Sequence, residues 1–242
     1  MDMEKDFESK FFNSKEGRLH YLHHKAEGKT IIFIHGFAGS ARTWMRLARF
    51  MPETLNVYLI DLIGHGSSDA PDIEYSINMH YEVLASLIES EKLGKYLLFG
   101  HSYGGWLAAY FAAQDNPYGI ILEDSAGLKE FYDERHSLNP NYKEVIFKNA
   151  FAINPREHVL KSMLDADNTE AYLTKGMLVA IESKALIIWG KGDTTVNPKY
   201  ASVFHSLIKD SKIKMIEGER HTPHFTNPGE VWRITSEFIE KL

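Results

Sequence analysis

The hexapeptide Gly100-His101-Ser102-Tyr103-Gly104-Gly105 concentrates the chemistry of this chain. It follows the apolar run 96–99 and precedes a helix-like segment over 106–113. A buried strand, a G-x-S-x-G turn and a helix are the setting that puts a serine hydroxyl on a sharp, strained bend. Gly100 and Gly104 fit that bend because a Cβ two residues to either side of the serine would collide in it. The free amides and the dipole of the following helix favour negative charge beside the hydroxyl. The residues therefore predict attack by Ser102 on an electrophilic carbon. The bland alternative is a glycine-rich strand-to-helix turn capped by a serine.

A hydroxyl is a weak nucleophile near neutral pH. It needs a base such as histidine, and a carboxylate to orient that base and stabilise its cation. Candidates for both follow apolar runs. Gly190-Lys191-Gly192-Asp193 follows run 185–189, and Glu217-Gly218-Glu219-Arg220-His221 follows run 212–216. His35-Gly36-Phe37-Ala38-Gly39-Ser40 follows run 30–34. The order is Ser, Asp, His, with gaps of 91 and 28 residues.

These groups need strands to carry them. Stretches 7–12 and 18–24 read as a hairpin across residues 13–17. Apolar runs at 30–34, 57–62, 96–99, 119–122, 185–189 and 212–216 read as strands, the later ones covered on both faces because they show little alternation. Between them Trp44, Leu47, Ala48 and Met51 fall at helical spacing, as do Met79, Leu84, Leu87 and Ile88. Pro198 and Pro228 open two further helices. Strand–helix alternation predicts a mostly parallel sheet with helices on both faces, with chemistry at the carboxyl ends of the strands. Residues 127–182 break the rhythm: they hold helical segments punctuated by Asn139-Pro140 and Asn154-Pro155 and no clear strand. That is too long for a connection and reads as a small helical lid, leaving 1–126 and 183–242 as the core.

Composition narrows the function. The 242 residues are 44% hydrophobic, enough for a substantial core. The net charge of −6, with acids and bases interspersed, points to neither nucleic acid nor an anionic membrane surface. The chain has no cysteine, which excludes disulfides, a thiol nucleophile and cysteine-bound metal, and fits a cytoplasmic setting. The charged start Met1-Asp2-Met3-Glu4-Lys5-Asp6 does not read as a signal peptide, and no apolar run is long enough to span a bilayer.

Five motifs in this order resemble the α/β-hydrolase family: HGFAGS (35–40), DLIGHGSSD (61–69), GHSYGG (100–105), WGKGD (189–193) and RHTPHFTNP (220–228). The resemblance covers nearly the whole chain. It implies an eight-stranded, mostly parallel sheet with helices on both faces and a small helical lid. It also implies Ser102 as nucleophile, His221 as base, Asp193 as orienting acid, and the amides of Phe37 and Tyr103 as oxyanion hole, with no cofactor and no metal. His224 stays open as an alternative base and Asp124 as an alternative acid, because some relatives place the acid after that strand. His35, His65 and His101 read as loop-shaping residues, and Asp61 and Ser67 as loop braces. His20, His23 and His24 lie on an edge-strand pattern without clustered carboxylates, a poor metal site. Phe131, Tyr132, Phe147, Phe151 and Tyr172 are either lid core or pocket wall.

A serine nucleophile separates the chain from family branches that use aspartate. The chemistry implied is hydrolysis of a small-molecule ester or related acyl substrate of small or medium chain. Carbon–carbon bond hydrolysis, prolyl-type aminopeptidase action, a lyase using the same triad and a ligand receptor with a slow site remain alternatives. The loops HGFAG and GHSYGG differ from the H-G-G-P-G and G-x-S-W-G-G/S patterns of the aminopeptidases. Oligomeric state has no signature in the sequence.

Overall fold

Successive residues of the apolar runs face opposite sides of one sheet. Ile31 and Phe33 join the core on one face, and Ile32 and Ile34 the core on the other. Leu97 and Phe99 divide from Leu98 in the same way. The period of two explains why these runs look continuously apolar: both faces are covered. The strands are β1 (Glu8–Ser14), β2 (Gly17–His24), β3 (Thr30–Ile34), β4 (Asn56–Asp61), β5 (Tyr96–His101), β6 (Gly119–Glu123), β7 (Lys184–Gly190) and β8 (Ser211–Ile216). They form one eight-stranded sheet in the order β1-β2-β4-β3-β5-β6-β7-β8. β1–β2 and β2–β4 pair antiparallel, and every other pair is parallel. The computed structural model describes residues 6–166 and 168–242; the signal-peptide reading of Met1–Lys5 lies outside the described residues.

Two helices bury apolar stripes on the face that carries Phe33. They are α1 (Met45–Ala48) with Leu47, and α10 (Pro228–Ile239) with Val231, Ile234 and Phe238. The opposite face is covered by α2 (Ile77–Ser90), α3 (Tyr103–Gln114) and α8 (Lys199–Leu207). The Ser76 hydroxyl caps α2 by accepting from the Met79 amide at 3.2 Å, and Pro228 starts α10. α3 is apolar all round and buried from Tyr103 to Ala112, as a helix wedged against the sheet must be.

Between β6 and β7 lie α4 (Lys129–Leu138), α5 (Tyr142–Phe151), α6 (Glu157–Asp165) and α7 (Lys175–Ala180), with breaks at Pro140 and Pro155. Polar contacts tie this segment to the core. Asn154 Nδ2 donates to Gly64 O at 3.2 Å, Ser162 Oγ accepts from the Tyr75 amide at 2.9 Å, and Trp106 Nε1 donates to Ala171 O at 2.8 Å. Among the described residues no helix is long and apolar enough to cross a membrane.

Four local expectations change. The first hairpin turns on Lys15 and Glu16 alone, with Gly17 at φ 131°, because pairing continues to Ser14–Gly17. Stretch 44–51 is not one helix. A 3-10 turn (Ala41–Trp44) leads into the single turn of α1, although Trp44, Leu47, Ala48 and Met51 are all buried as their spacing predicts. The segment is too short to sustain a helix alone, and Pro52 disfavours helical backbone at Met51. β8 is not covered on both faces: Lys212 and Lys214 are exposed at this sheet edge, where lysines oppose further strand pairing. β2 is no edge strand, since β1 and β4 flank it.

Candidate active site

Strand order reverses at β3, which neighbours β4 on one side and β5 on the other. Connections leave such a switch point in opposite directions and open a crevice beyond the strand ends. The loops after β3 and β5 border it, carrying Phe37 and Ser102.

Ser102 sits at φ 53°, ψ −111°, a strained backbone for a residue with a Cβ. Neighbours hold it there. Its amide donates to Glu123 O at 2.9 Å, and its carbonyl accepts from the amides of Trp106 and Ala126, each at 3.0 Å. The glycines of the motif are steric necessities. A Cβ on Gly100 would lie 2.1 Å from Gly104 O, and one on Gly104 would lie 2.2 Å from Ile34 O. A Cβ on Gly36 would come within 2.7 Å of His101 Nδ1 and 3.2 Å of Ser102 Cβ, so the loop after β3 lies directly against the serine.

The three elements that follow β5, β7 and β8 bring their side chains together. Ser102 Oγ lies 3.0 Å from His221 Nε2, within hydrogen-bond distance. His221 Nδ1 donates to Asp193 Oδ2 at 2.8 Å. Asp193 is fixed in turn: its Oδ1 accepts from the amides of Thr195 at 2.6 Å and Val196 at 3.1 Å. The Asp193 side chain is fully buried, while His221 keeps 18% of its side chain accessible beside the cavity. Tyr103 is the first residue of α3, so its amide has no intrahelical acceptor. The Phe37 and Tyr103 residues line the same cavity as Ser102.

Asp124 stands behind this relay. Its backbone is at φ 45°, its Oδ1 accepts from the Gly190 amide at 3.0 Å, and its Oδ2 has no partner among the described residues. Burial, then the carboxyls of Glu123 and Asp193, push its pKa well above the ordinary carboxylate range. The hydrogen bond of His221 Nδ1 goes to Asp193, not to Asp124. His224 is turned away from Ser102. Its Nδ1 donates to the Glu123 carboxylate, its amide donates to Glu123 Oε1 at 3.0 Å, and its ring lies 4.4 Å from that of Trp44. Both side chains of this pair are completely buried. His101 Nε2 donates to His221 O at 2.6 Å, bracing the histidine loop from below. Burial holds His101 well below the ordinary imidazole range and therefore neutral.

The remaining polar motif residues brace loops. Asp61 Oδ1 accepts from the Ala41 amide at 2.6 Å, and its Oδ2 accepts from the Ser67 amide at 2.8 Å and from His20 Nδ1 at 2.7 Å. His35 Nε2 accepts from the Leu62 amide at 3.1 Å, and His65 is packed 5.0 Å from the His35 ring. His20, His23 and His24 go to separate partners: Asp61, Asn56 and the Glu53 carbonyl. Their donor atoms do not converge. Those of Asp124, Asp193 and His221, and of His101, Glu123 and His224, do converge within 4.8 Å. In both sets hydrogen bonds inside the protein already occupy the carboxylates that face histidine.

A cavity of about 500 Å³ opens over Ser102, within the range of small-molecule sites. Trp106 stacks on Tyr172 with centroids 5.3 Å apart and planes 8° apart, and Tyr132 tilts against both. Phe131, Tyr132 and Tyr172 line the cavity, whereas Phe147 and Phe151 stack on each other outside its wall. Two residues escape sequence reasoning. Glu123 carried a signal, an acid closing the apolar run Gly119-Ile120-Ile121-Leu122. Arg135, which also lines the cavity, is one charge among many on a polar helix and carried none.

Comparison with known proteins agrees with this architecture. The profile described as "Alpha/beta hydrolase family" matches residues 31–234. A Bacillus subtilis (strain 168) protein, provisionally named 2-succinyl-6-hydroxy-2,4-cyclohexadiene-1-carboxylate synthase, is 24% identical over 88% of this chain and 91% of its own. Lipase 1 of Psychrobacter immobilis is 24% identical over 81% of this chain and 72% of its own. Among solved structures, a lip1 protein of Acinetobacter baumannii AYE, provisionally a lipase, superposes with a TM-score of 0.82. It is 21% identical and covers 97% of this chain and 91% of its own.

Proposed function

As this chain belongs to the alpha/beta hydrolase family, we propose that it is a serine hydrolase that cleaves carboxylic esters of small or medium acyl chain. One observation carries the reading: a serine, an imidazole and a buried carboxylate in line at 3.0 and 2.8 Å, at the floor of a cavity. The similarity to a lipase of Psychrobacter immobilis supports the ester as the bond cleaved.

In this mechanism Ser102 Oγ attacks the ester carbonyl while its proton passes to His221 Nε2. The Asp193 carboxylate stabilises the imidazolium through Nδ1. The carbonyl oxygen becomes an oxyanion held by the amides of Phe37 and Tyr103, each such donor supplying about 3–4 kcal/mol of transition-state stabilisation. The intermediate collapses, the alcohol leaves with the proton from His221, and Ser102 carries the acyl group. A water then gives its proton to His221 and attacks the acyl carbon. Collapse releases the acid and restores the serine hydroxyl. Apart from substrate and water, every group in this cycle is a side chain or backbone amide of this chain, so the mechanism as proposed invokes no cofactor. The 127–182 segment acts as the lid in this reading, since its aromatic residues wall the cavity above the nucleophile.

A panel of p-nitrophenyl esters from two to twelve acyl carbons tests this, with the Ser102→Ala variant as control. Proline p-nitroanilide and a vinylogous diketone run alongside. Ser102-dependent cleavage peaking at one ester length is expected. Silence on every ester with turnover of one of the other substrates would reassign the bond cleaved.

A further inference from the structure

Arg135 stands on the last turn of α4 and lines the cavity over Ser102. Its guanidinium lies 5.3 Å from the centroid of the Phe131 ring and 5.8 Å from that of Tyr142. Its Nη1 donates to Thr195 O at 3.2 Å, and Thr195 is the residue whose amide holds Asp193. The cation is thus fixed by two aromatic rings and one carbonyl, next to the triad loop. Five N–H donors in a planar fork leave an edge suited to two-pronged binding of a carboxylate.

No carboxylate of the protein occupies that edge among the described residues. The acids nearest in sequence are engaged elsewhere: Asp133 with Lys129 at 2.6 Å, and Glu134 with Lys199 and Tyr200. Asp193 is committed to His221 and two amides. Among the described residues no aspartate or glutamate lines the cavity, and Lys143, also in its lining, pairs with Asp165 at 3.0 Å. The guanidinium is partly desolvated, and burial pushes its pKa below the ordinary value. A cation partly withdrawn from water, with no carboxylate on it among the described residues, is suited to an anion that arrives with the ligand.

From this placement we infer that Arg135 is a substrate-binding residue and that the preferred substrate carries a free carboxylate besides the bond to be cleaved. The inference rests on the ester reading for the reaction but not for the binding. The guanidinium grips the carboxylate in plane, and the aromatic wall receives the carbon chain between the two ends.

Two measurements test it independently. The first is the ratio of kcat/KM for p-nitrophenyl hemiglutarate to that for p-nitrophenyl pentanoate. Wild type is expected to favour the anionic ester, and Arg135→Gln to lower the ratio about tenfold or more. Arg135→Lys keeps the charge without the fork and should fall between. The second is adipate binding to the Ser102→Ala variant, read by tryptophan fluorescence with Trp106 in the cavity wall. This needs no turnover, so it judges the carboxylate site even if no ester is cleaved. Saturable adipate binding that Arg135→Gln weakens about tenfold supports the site. A ratio unchanged by Arg135→Gln, together with adipate binding that is absent or indifferent to that variant, would overturn it and leave Arg135 as a tie between α4 and the Thr195 loop.

Discussion

Two carboxyls, Asp193 and Asp124, lie side by side near one imidazole, and their surroundings differ. Asp193 accepts two backbone amides and the imidazole N–H, which stabilise its charge. Asp124 has one amide and an Oδ2 without a partner among the described residues, and burial pushes its pKa well above the ordinary carboxylate range. Asp193→Asn is therefore expected to lower kcat by about 10³–10⁴, as loss of the orienting acid does. Asp124→Asn, which leaves the His221–Asp193 hydrogen bond in place, should cost less than about tenfold. Steady-state ester kinetics on both variants check this, and the reverse ranking would transfer the role to Asp124. The sequence displayed Ser102, Asp193 and His221 because each closes an apolar run with a short glycine-bearing turn. It left Asp124 and Asp193 as rivals because both follow strands. The hydrogen bond of His221 Nδ1 and the amides of Thr195 and Val196, a matter of loop conformation, separate them. Arg135 was not legible because it is one charge among many on a polar helix, and only the fold brings it to the cavity.

Strands and long helices were legible because each imposes one period on its side chains. All six predicted runs after the hairpin became strands within two residues of their expected bounds. The segment around Trp44 was legible in burial but not in conformation, because packing against Phe33 and Phe99 overrides helix length. The turns of the site hang on backbone contact that no periodicity reports. Gly104→Ala would push a Cβ to 2.2 Å from Ile34 O. It is expected to cost about 3 kcal/mol or more and to abolish turnover, whereas Gly94→Ala, with open space around it, should change stability by less than about 1 kcal/mol. Denaturant melts of the two variants compare them directly. The Glu123–His224 pair joins the end of β6 to α9 (Pro223–Thr226), just beyond His221. Glu123→Leu leaves the buried imidazole and the His224 amide without their acceptor, so a loss of about 1–3 kcal/mol or more is expected, read by the same melts.

Across the whole molecule, buried imidazoles couple stability to pH. Desolvation lowers the pKa values of His23, His35, His65 and His101, and brings that of His80 down to about 4. Each is neutral in the fold and basic when unfolded, so the unfolded chain binds more protons as pH falls below about 6.5. Their contribution is complete above that pH and is lost on descent towards the folded values. Asp124, raised in the fold, works in the opposite sense, gaining stability as pH falls, but it is one group against five. Thermal melts should therefore show the transition falling steadily from pH 6.5 to pH 4, and a flat profile would mean these imidazoles are hydrated. The same fold brings together a serine and a histidine 119 residues apart in sequence. The most direct test of that convergence is peptide mapping of the protein after reaction with a fluorophosphonate. A single adduct on Ser102 is expected, absent from Ser102→Ala and formed at least a hundredfold more slowly by His221→Ala. An unmodified Ser102, or equal labelling without His221, would contradict its role as the nucleophile activated by that histidine.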